Sequence, residues 1–313
     1  MLYVTGITGH SGKWFLKRLE SEGYYGKIRC VMREDEKYAP EKYKIFGCKL
    51  DVEYAVGQLE DEKFLEDSLK GVTTILHIAG IGLSEKLVDA AIKNQVDWAI
   101  LVHTTGRFSR YKSASEEYIR IEDGILERCS INNQGDRVLN CTILRPTMIY
   151  GSSKDKNMYR LIEYLSKHRF FPLFGDGSNL MQPVHARDLG NAYFDVLTYS
   201  DITKNKQYDL SGKDPLAYLS IILKIKKYLN SKVKVIKLPI WLSILAARVY
   251  NAVFQNAIIT VEQVMRMQED KAFSHEAAVK DFGYSPISFE DGIQEEIEEY
   301  LSGVRMDYTG IKY

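Results

Sequence analysis

Leu2-Tyr3-Val4-Thr5-Gly6-Ile7-Thr8-Gly9-His10-Ser11-Gly12 is the stretch from which the rest of this chain is read. Leu2 to Val4 is a short apolar run of the kind that forms a buried strand. Lys13-Trp14-Phe15-Leu16-Lys17-Arg18-Leu19 has the spacing of an amphipathic helix. Glycines stand between them at 6, 9 and 12. A strand that turns into a helix in this way leaves the first backbone N–H groups of the helix without partners, pointing past the strand end. The helix dipole adds partial positive charge there, so the turn suits a diphosphate. Gly6 permits the tight turn, Gly9 the close approach of phosphate, and Gly12 the packing of helix on strand. The spacing is G-x-x-G-x-x-G, one residue away from the commoner G-x-G-x-x-G.

The composition is that of an ordinary globular chain: 313 residues, 45% hydrophobic and 27% charged. This length suits one large α/β unit with a smaller lobe. Forty-two basic residues balance forty-two acidic ones, so the net charge gives no reason to expect nucleic acid or an anionic membrane as a partner. Cys30, Cys48, Cys129 and Cys141 form no C-x-x-C and have no metal-ligand spacing, which fits a reduced compartment and no metal. A first strand at Leu2 is read as leaving no room for a signal peptide, so a cytoplasmic location is expected. Leu238 to Val253 is the most apolar stretch, but Arg248 and Asn251 interrupt it and it is short for a bilayer span. It reads as a packed helix, with interfacial membrane attachment as the lesser alternative.

Further strands follow at Ile28 to Arg33, Val52 to Leu59, Thr73 to Gly80, Trp98 to His103 and Leu139 to Leu144. Helices at Asp61 to Lys70 and Leu83 to Asn94 separate some of them. Strand and helix alternating at these lengths predict a doubly wound parallel sheet. In such sheets ligands bind beyond the carboxyl ends of the strands. Gly6 to Gly12, Arg33, Ala79-Gly80 and Thr104-Thr105 all fall at those ends. Arg33 ends the second strand, where a guanidinium accommodates the 2′-phosphate of NADP and a carboxylate would hold the free ribose of NAD. Glu34 and Asp35 follow directly and could still reach a ribose. NADP(H) is therefore the expected cofactor, with NAD(H) as the alternative.

The Thr5-Gly6-x-x-Gly9-x-x-Gly12 turn resembles that of the short-chain dehydrogenase/reductase superfamily. Arg145-Pro146-Thr147-Met148-Ile149-Tyr150-Gly151, Phe174-Gly175-Asp176-Gly177 and Pro183-Val184-His185-Ala186-Arg187-Asp188 resemble its extended and atypical branches, which include epimerase/dehydratase-like proteins. The resemblance runs from residue 1 to about 195. It implies a Rossmann domain over 1–150 plus about 185–212, and a smaller substrate lobe over about 151–184 plus 213–313. It implies cofactor contacts from Thr5, Gly6, Thr8, Gly9, His10, Ser11, Gly12, Arg33, Gln58, Leu59, Ala79, Gly80, Lys112 and Pro146. His77 reads as a packed core histidine, and His185 and Asp188 as anchors of the lobe crossing.

In relatives, a Tyr-x-x-x-Lys pair and a Ser or Thr handle the proton, the lysine lowering a phenol pKa that is otherwise about 10. Thr104 or Thr105 stands where the hydroxyl belongs, but the pair is not intact in any register. Tyr118-x-x-x-Glu122 puts an acid in place of the lysine. Phe108-x-x-x-Lys112 has lost the phenol, and Tyr111-Lys112 are adjacent and cannot face together on a helix. The expectation is that Thr104 or Thr105 polarises a substrate oxygen and Tyr118 donates the proton, with Glu122 keeping Tyr118 protonated. Three functions remain open. The first is an NADP(H)-dependent oxidoreductase or epimerase-like enzyme acting on a small polar or sugar-nucleotide-type substrate, with a homodimer as one allowed state. The second is a catalytically silent NADP(H)-binding sensor or assembly protein. The third is membrane-associated lipid metabolism, which rests on 238–253 alone.

Overall fold

The computed structural model describes residues 1–33, 49–130, 138–153, 155–242, 244–245 and 261–302. Cys48, Glu34, Asp35 and the part of the apolar stretch beyond Leu245 lie outside them. Seven parallel strands form the central sheet, β1 (Leu2–Thr5), β2 (Ile28–Met32), β3 (Val52–Val56), β4 (Thr74–His77), β5 (Trp98–Val102), β6 (Asn140–Pro146) and β11 (Gln207–Leu210). Their order is β11-β6-β5-β4-β1-β2-β3, so the direction of winding reverses between β1 and β4. The expected doubly wound Rossmann-type sheet is what the chain forms. Its edge strand β11 was anticipated only as a landmark around Tyr208 to Gly212. Gln207 and Asp209 break the apolar run there, as suits a strand paired on one side only.

Helices cover both faces. α1 (His10–Ser21), α2 (Glu62–Ser68), α3 (Ser84–Lys93) and α4 (Lys112–Arg128) follow β1, β3, β4 and β5. Asp61 caps α2, accepting from the N–H groups of Lys63 and Phe64, and Gly71 just beyond it adopts the left-handed backbone (φ 74°) that ends such helices. All five residues of β5 are buried, because helices lie over both sides of that strand. Two apolar cores result. Phe15, Leu19, Trp98, Leu189 and Tyr193 belong to one; Leu65, Val88, Leu101, Ile121 and Ile125 belong to the other.

After β6 the chain builds β7 (Ile149–Tyr150), α5 (Met158–Lys167), β8 (Phe170–Phe174), β9 (Leu180–Met181) and β10 (Val184–His185). It then returns through α6 (Ala186–Thr198) to β11, and continues with β12 (Leu216–Ala217), α7 (Tyr218–Tyr228), β13 (Lys234–Leu238) and, further on, α8 (Phe289–Ser302). A third core, with Tyr150, Ile162, Leu165, Leu173, Ile222, Ile225, Phe289 and Ile293, holds these later segments together. α6 lies against α1 so closely that a Cβ on Gly190 would stand 2.4 Å from the Trp14 Cβ. Among the described residues no helix is long and apolar enough to cross a membrane.

Candidate functional site

A cleft of about 920 Å³ opens where β1, β2, β3 and β4 end. Gly6, Thr8, Gly9, His10, Ser11, Val31, Arg33, Gly57, Gln58, Leu59, Ile78 and Ala79 are among its walls. The structure thus brings together the glycine turn, the Arg33 strand end, the Gln58-Leu59 pair and the Ala79 turn. Thr5, Gly12, Gly80, Lys112, Pro146, Thr104, Thr105 and Tyr118 are not among the residues lining this cleft.

The turn has the backbone that the glycines were expected to permit. Gly6 sits at φ 70°, and a Cβ there would meet the Ala79 nitrogen at 2.8 Å. The Gly9 N–H donates to the Gly6 carbonyl (3.0 Å), and Gly9 caps α1 without a side-chain hydrogen bond. The cap therefore leaves first-turn N–H groups of α1 for a ligand. A Cβ on Gly12 would lie 2.6 Å from the Gly6 oxygen and 2.7 Å from Ile7 Cα, so Gly12 sets how closely the helix sits on the turn.

Thr5 does different work from that expected. It is fully buried, and its hydroxyl ties β1 to the turn after β4. His77 Nε2 donates to the Gly80 carbonyl (3.0 Å), which leaves Nδ1 to accept from the Thr5 hydroxyl (2.7 Å). The Thr5 oxygen in turn accepts from the N–H groups of Ile78 and Ala79. Burial pushes the His77 pKa down to about 4, consistent with a neutral ring. His77 thus shapes the cleft floor without entering it.

One contact ties the glycine turn of the cleft to the lobe, and others hold the junction after Tyr150. His10, in the glycine turn, lies 2.6 Å by Nδ1 from the Ser152 hydroxyl, just past Tyr150-Gly151. Glu296 on α8 accepts from the Gly151 N–H (3.0 Å). His185 caps α6 by accepting from the Arg187 N–H (3.2 Å) and packs edge-on to Tyr150. Burial and the Arg187 charge hold its pKa down at about 3. Asp188 accepts from the Ile287 N–H (3.1 Å).

The hydroxyls of the candidate catalytic set are engaged with backbone. Thr104 caps the short turn that follows β5, accepting from the Gly106 N–H (3.0 Å). Thr105, nearly buried, donates to the Pro146 carbonyl (3.3 Å). The Tyr118 ring lies over Gly106, where a Cβ would touch its Cε2 at 3.0 Å, and Lys112 is exposed at the start of α4.

The expectation for Glu122 is overturned. Its carboxylate is fully buried and forms ion pairs with Arg145 and Arg107; His103 Nδ1 donates to it at 3.0 Å. Arg145 Nε donates to it as well (2.9 Å), and Arg145 also reaches Gln207 and Asp209 on β11. Burial alone would raise the Glu122 pKa, but the bonds from His103 and Arg145 and the guanidinium charge lower it to about 2. A carboxylate compensated by two guanidinium groups does not act on Tyr118 as a lone anion. Sequence spacing pairs residues four apart on a helix. It does not show that Arg145, 23 residues away, claims the acid first.

A parallel sheet with a glycine turn at the start of its first helix, and a cleft over the reversal point, defines a nucleotide-binding fold of the Rossmann type. No protein-family model matches the chain. It is 25% identical over 209 residues to short-chain dehydrogenase/reductase family 42E member 1 of Mus musculus, covering 61% of this chain and 50% of the relative. It is 24% identical over 240 residues to NADH dehydrogenase [ubiquinone] 1 alpha subcomplex subunit 9, mitochondrial, of Arabidopsis thaliana, covering 67% and 53%. The chain spans about half the length of these curated relatives. Among solved structures, dTDP-glucose 4,6-dehydratase from Streptomyces venezuelae with NAD and TYD bound superposes with a TM-score of 0.71 at 18% identity, covering 96% and 97% of the two chains. UDP-glucuronic acid 4-epimerase from Bacillus cereus, in complex with UDP-glucuronic acid and NAD, gives 0.71 at 14%, covering 96% and 99%. The chain is thus similar in sequence to a short-chain dehydrogenase/reductase protein over 61% of its length, and it shares the Rossmann-type fold of these dehydratase and epimerase structures.

Proposed function

We propose that the chain is a nicotinamide-dinucleotide-dependent oxidoreductase or epimerase-like enzyme, preferring NADP(H), that acts on a small polar or sugar-nucleotide-type substrate. The observation that carries this reading is the single cleft joining the uncapped start of α1, Arg33 and the Ala79 turn. A dinucleotide fits the residues present: the cradle is glycine where a side chain would crowd the turn, and the cleft is of cofactor size. Gly9, His10 and Ser11 would hold the diphosphate by backbone N–H groups, Arg33 the adenosine ribose, and Gln58 and Leu59 the base. The bound nicotinamide would supply hydride chemistry. The relatives with NAD in their solved structures support the cofactor class, and Arg33 is what favours NADP(H) in this chain.

The preference is tested by titration. NADPH is expected to bind about ten- to a hundredfold more tightly than NADH, the worth of one charge-assisted contact of about 1.5–3 kcal/mol. Arg33→Ala is expected to erase most of that ratio while leaving NADH affinity nearly unchanged. Equal isotherms for the two cofactors on the unaltered chain would refute the preference.

A second reading, a catalytically silent NADP(H)-binding sensor or assembly protein, draws on the hydroxyls. Thr104 and Thr105 are bonded to backbone, and α4, the helix that follows them, carries no Tyr-x-x-x-Lys pair. The assay that separates the readings follows NADPH oxidation at an absorbance of about 340 nm with candidate carbonyl substrates. For an enzyme, Tyr118→Phe and Thr105→Val are each expected to lower turnover about a hundredfold or more. Unchanged turnover in both would remove these residues from the chemistry. Nucleotide binding with no turnover, coupled to a change in a partner interaction, would favour the sensor.

A further inference from the structure

Between Asp214 and Glu262 the chain carries no Asp or Glu, although the whole sequence balances 42 acidic against 42 basic residues. The same stretch holds Lys224, Lys226, Lys227, Lys232, Lys234 and Lys237. The fold gathers much of it on one side of the lobe. Lys226 and Lys227 end α7, and β13 runs parallel to β8 with Lys234 opposite Phe170 and Ile236 opposite Pro172. Phe171, Leu173 and Val235 turn inward and pack in the lobe core. Phe170 (54% exposed), Pro172, Lys234 and Ile236 (44%) turn outward. Directly after β13, Trp241 is 64% exposed, and Leu242 and Leu245 are exposed too. Beside this face Lys167, His168, Arg169 and Lys232 line a groove of about 480 Å³.

Lys224 is paired with Glu290, and Lys167 with Glu163. Among the described residues Lys226, Lys232, Lys234, Lys237 and Arg169 have no ion pair. We propose that this face docks on the surface of an anionic lipid bilayer, with Trp241, Leu242, Ile236 and Phe170 entering the headgroup boundary and the lysines meeting lipid phosphates. Tryptophan and leucine beside lysine are the residue types that hold proteins at that boundary. A soluble polyanion would satisfy the lysines but leave the tryptophan and leucines in water. A second copy placed symmetrically would set lysine against lysine. The bilayer answers both halves of the surface, charge and hydrocarbon.

The test uses the full chain with vesicles of phosphatidylcholine alone and of phosphatidylcholine mixed with phosphatidylglycerol. Co-sedimentation is expected with the mixed vesicles, at least about tenfold stronger than with phosphatidylcholine alone, and weakening as salt is raised. The triple variant Lys232→Glu, Lys234→Glu, Lys237→Glu is expected to lose at least about tenfold of that binding, with its far-ultraviolet circular dichroism unchanged. Trp241→Ser is expected to weaken binding as well, and the fluorescence shift on vesicle addition should vanish in Trp241→Phe, since Trp98 is buried in the sheet core and Trp14 packs on α1 against His185 and Gly190. No sedimentation with the mixed vesicles, or equal sedimentation of the triple variant, would overturn the proposal. So would a dimer in the absence of vesicles that the triple variant dissolves, because the face would then belong to a second copy.

Discussion

Glu122→Gln is expected to destabilise the fold by about 3–5 kcal/mol, the usual cost of removing one partner from a buried ion pair. The amide leaves Arg145, itself nearly buried, without a full counter-charge, and Arg107 loses its buried partner. Pairing the change with Arg145→Met should recover part of the loss, since no uncompensated guanidinium is then left on β6. Urea unfolding of the parent, single and double variants measures this; a loss below about 1 kcal/mol in Glu122→Gln would show that the cluster contributes little. The same group sets a pH response. Its folded pKa of about 2 lies below the unfolded value of about 4.3, so its stabilisation is present above about 4.3 and disappears as pH falls toward 2. His77 and His185, held at about 4 and about 3, act earlier in the same direction. Their contribution is complete above the unfolded value of about 6.5 and declines below it. These three groups thus favour the fold at neutral pH, whereas Asp188, whose carboxyl burial raises to about 6, and Glu296, also raised by burial, work the other way as pH falls toward about 4.

The glycine turn gives the second large effect, because two of its glycines should fail in different ways. At Gly12 a side chain would run into the backbone of Gly6 and Ile7 at 2.6 and 2.7 Å, and backbone in a packed turn cannot give way. Gly12→Val should displace α1 and cost several kcal/mol, about as much as overpacking a core at its worst. At Gly9 the nearest neighbour of an added Cβ is the Gly6 oxygen at 3.0 Å, so the crowding is milder. Gly9→Val should keep the fold at a small cost and lower nucleotide affinity by about a hundredfold or more, some 2.7 kcal/mol. Calorimetric titration with circular dichroism on both variants separates the outcomes. Normal NADPH binding by Gly9→Val would mean the turn serves packing alone.

How much of this could be read in advance depended on how local the physics was. Gly6 is needed for a positive φ within its own turn, and Trp98 to Val102 is an apolar run because helices cover both faces of its strand. Both are visible in a few neighbouring residues. β11 was barely legible, since Gln207 and Asp209 interrupt it and its pairing partner lies about sixty residues earlier in β6. The family resemblance implies a cofactor contact for Thr5. Its hydroxyl in fact reaches His77 across the sheet, 72 residues away. The link from His10 to Ser152 spans 142 residues and has no trace in spacing or periodicity. Glu122 is the instructive failure. Its helical neighbour is visible in the sequence, but its partners come from β6 and from His103 and Arg107, between β5 and α4.

The grip of Glu296 on the Gly151 amide joins positions 145 residues apart. During synthesis, β1 to β6 and their helices can fold from a continuous stretch of nascent chain, with mostly neighbouring strands pairing. The junction after Tyr150 cannot close until the ribosome has made residue 296. Long-range closures of this kind pay their chain entropy late and slow the final step. Folding should then proceed in two kinetic phases, a faster one that forms the sheet and a slower one that seats α8, with the lobe open to proteolysis in the interval between them.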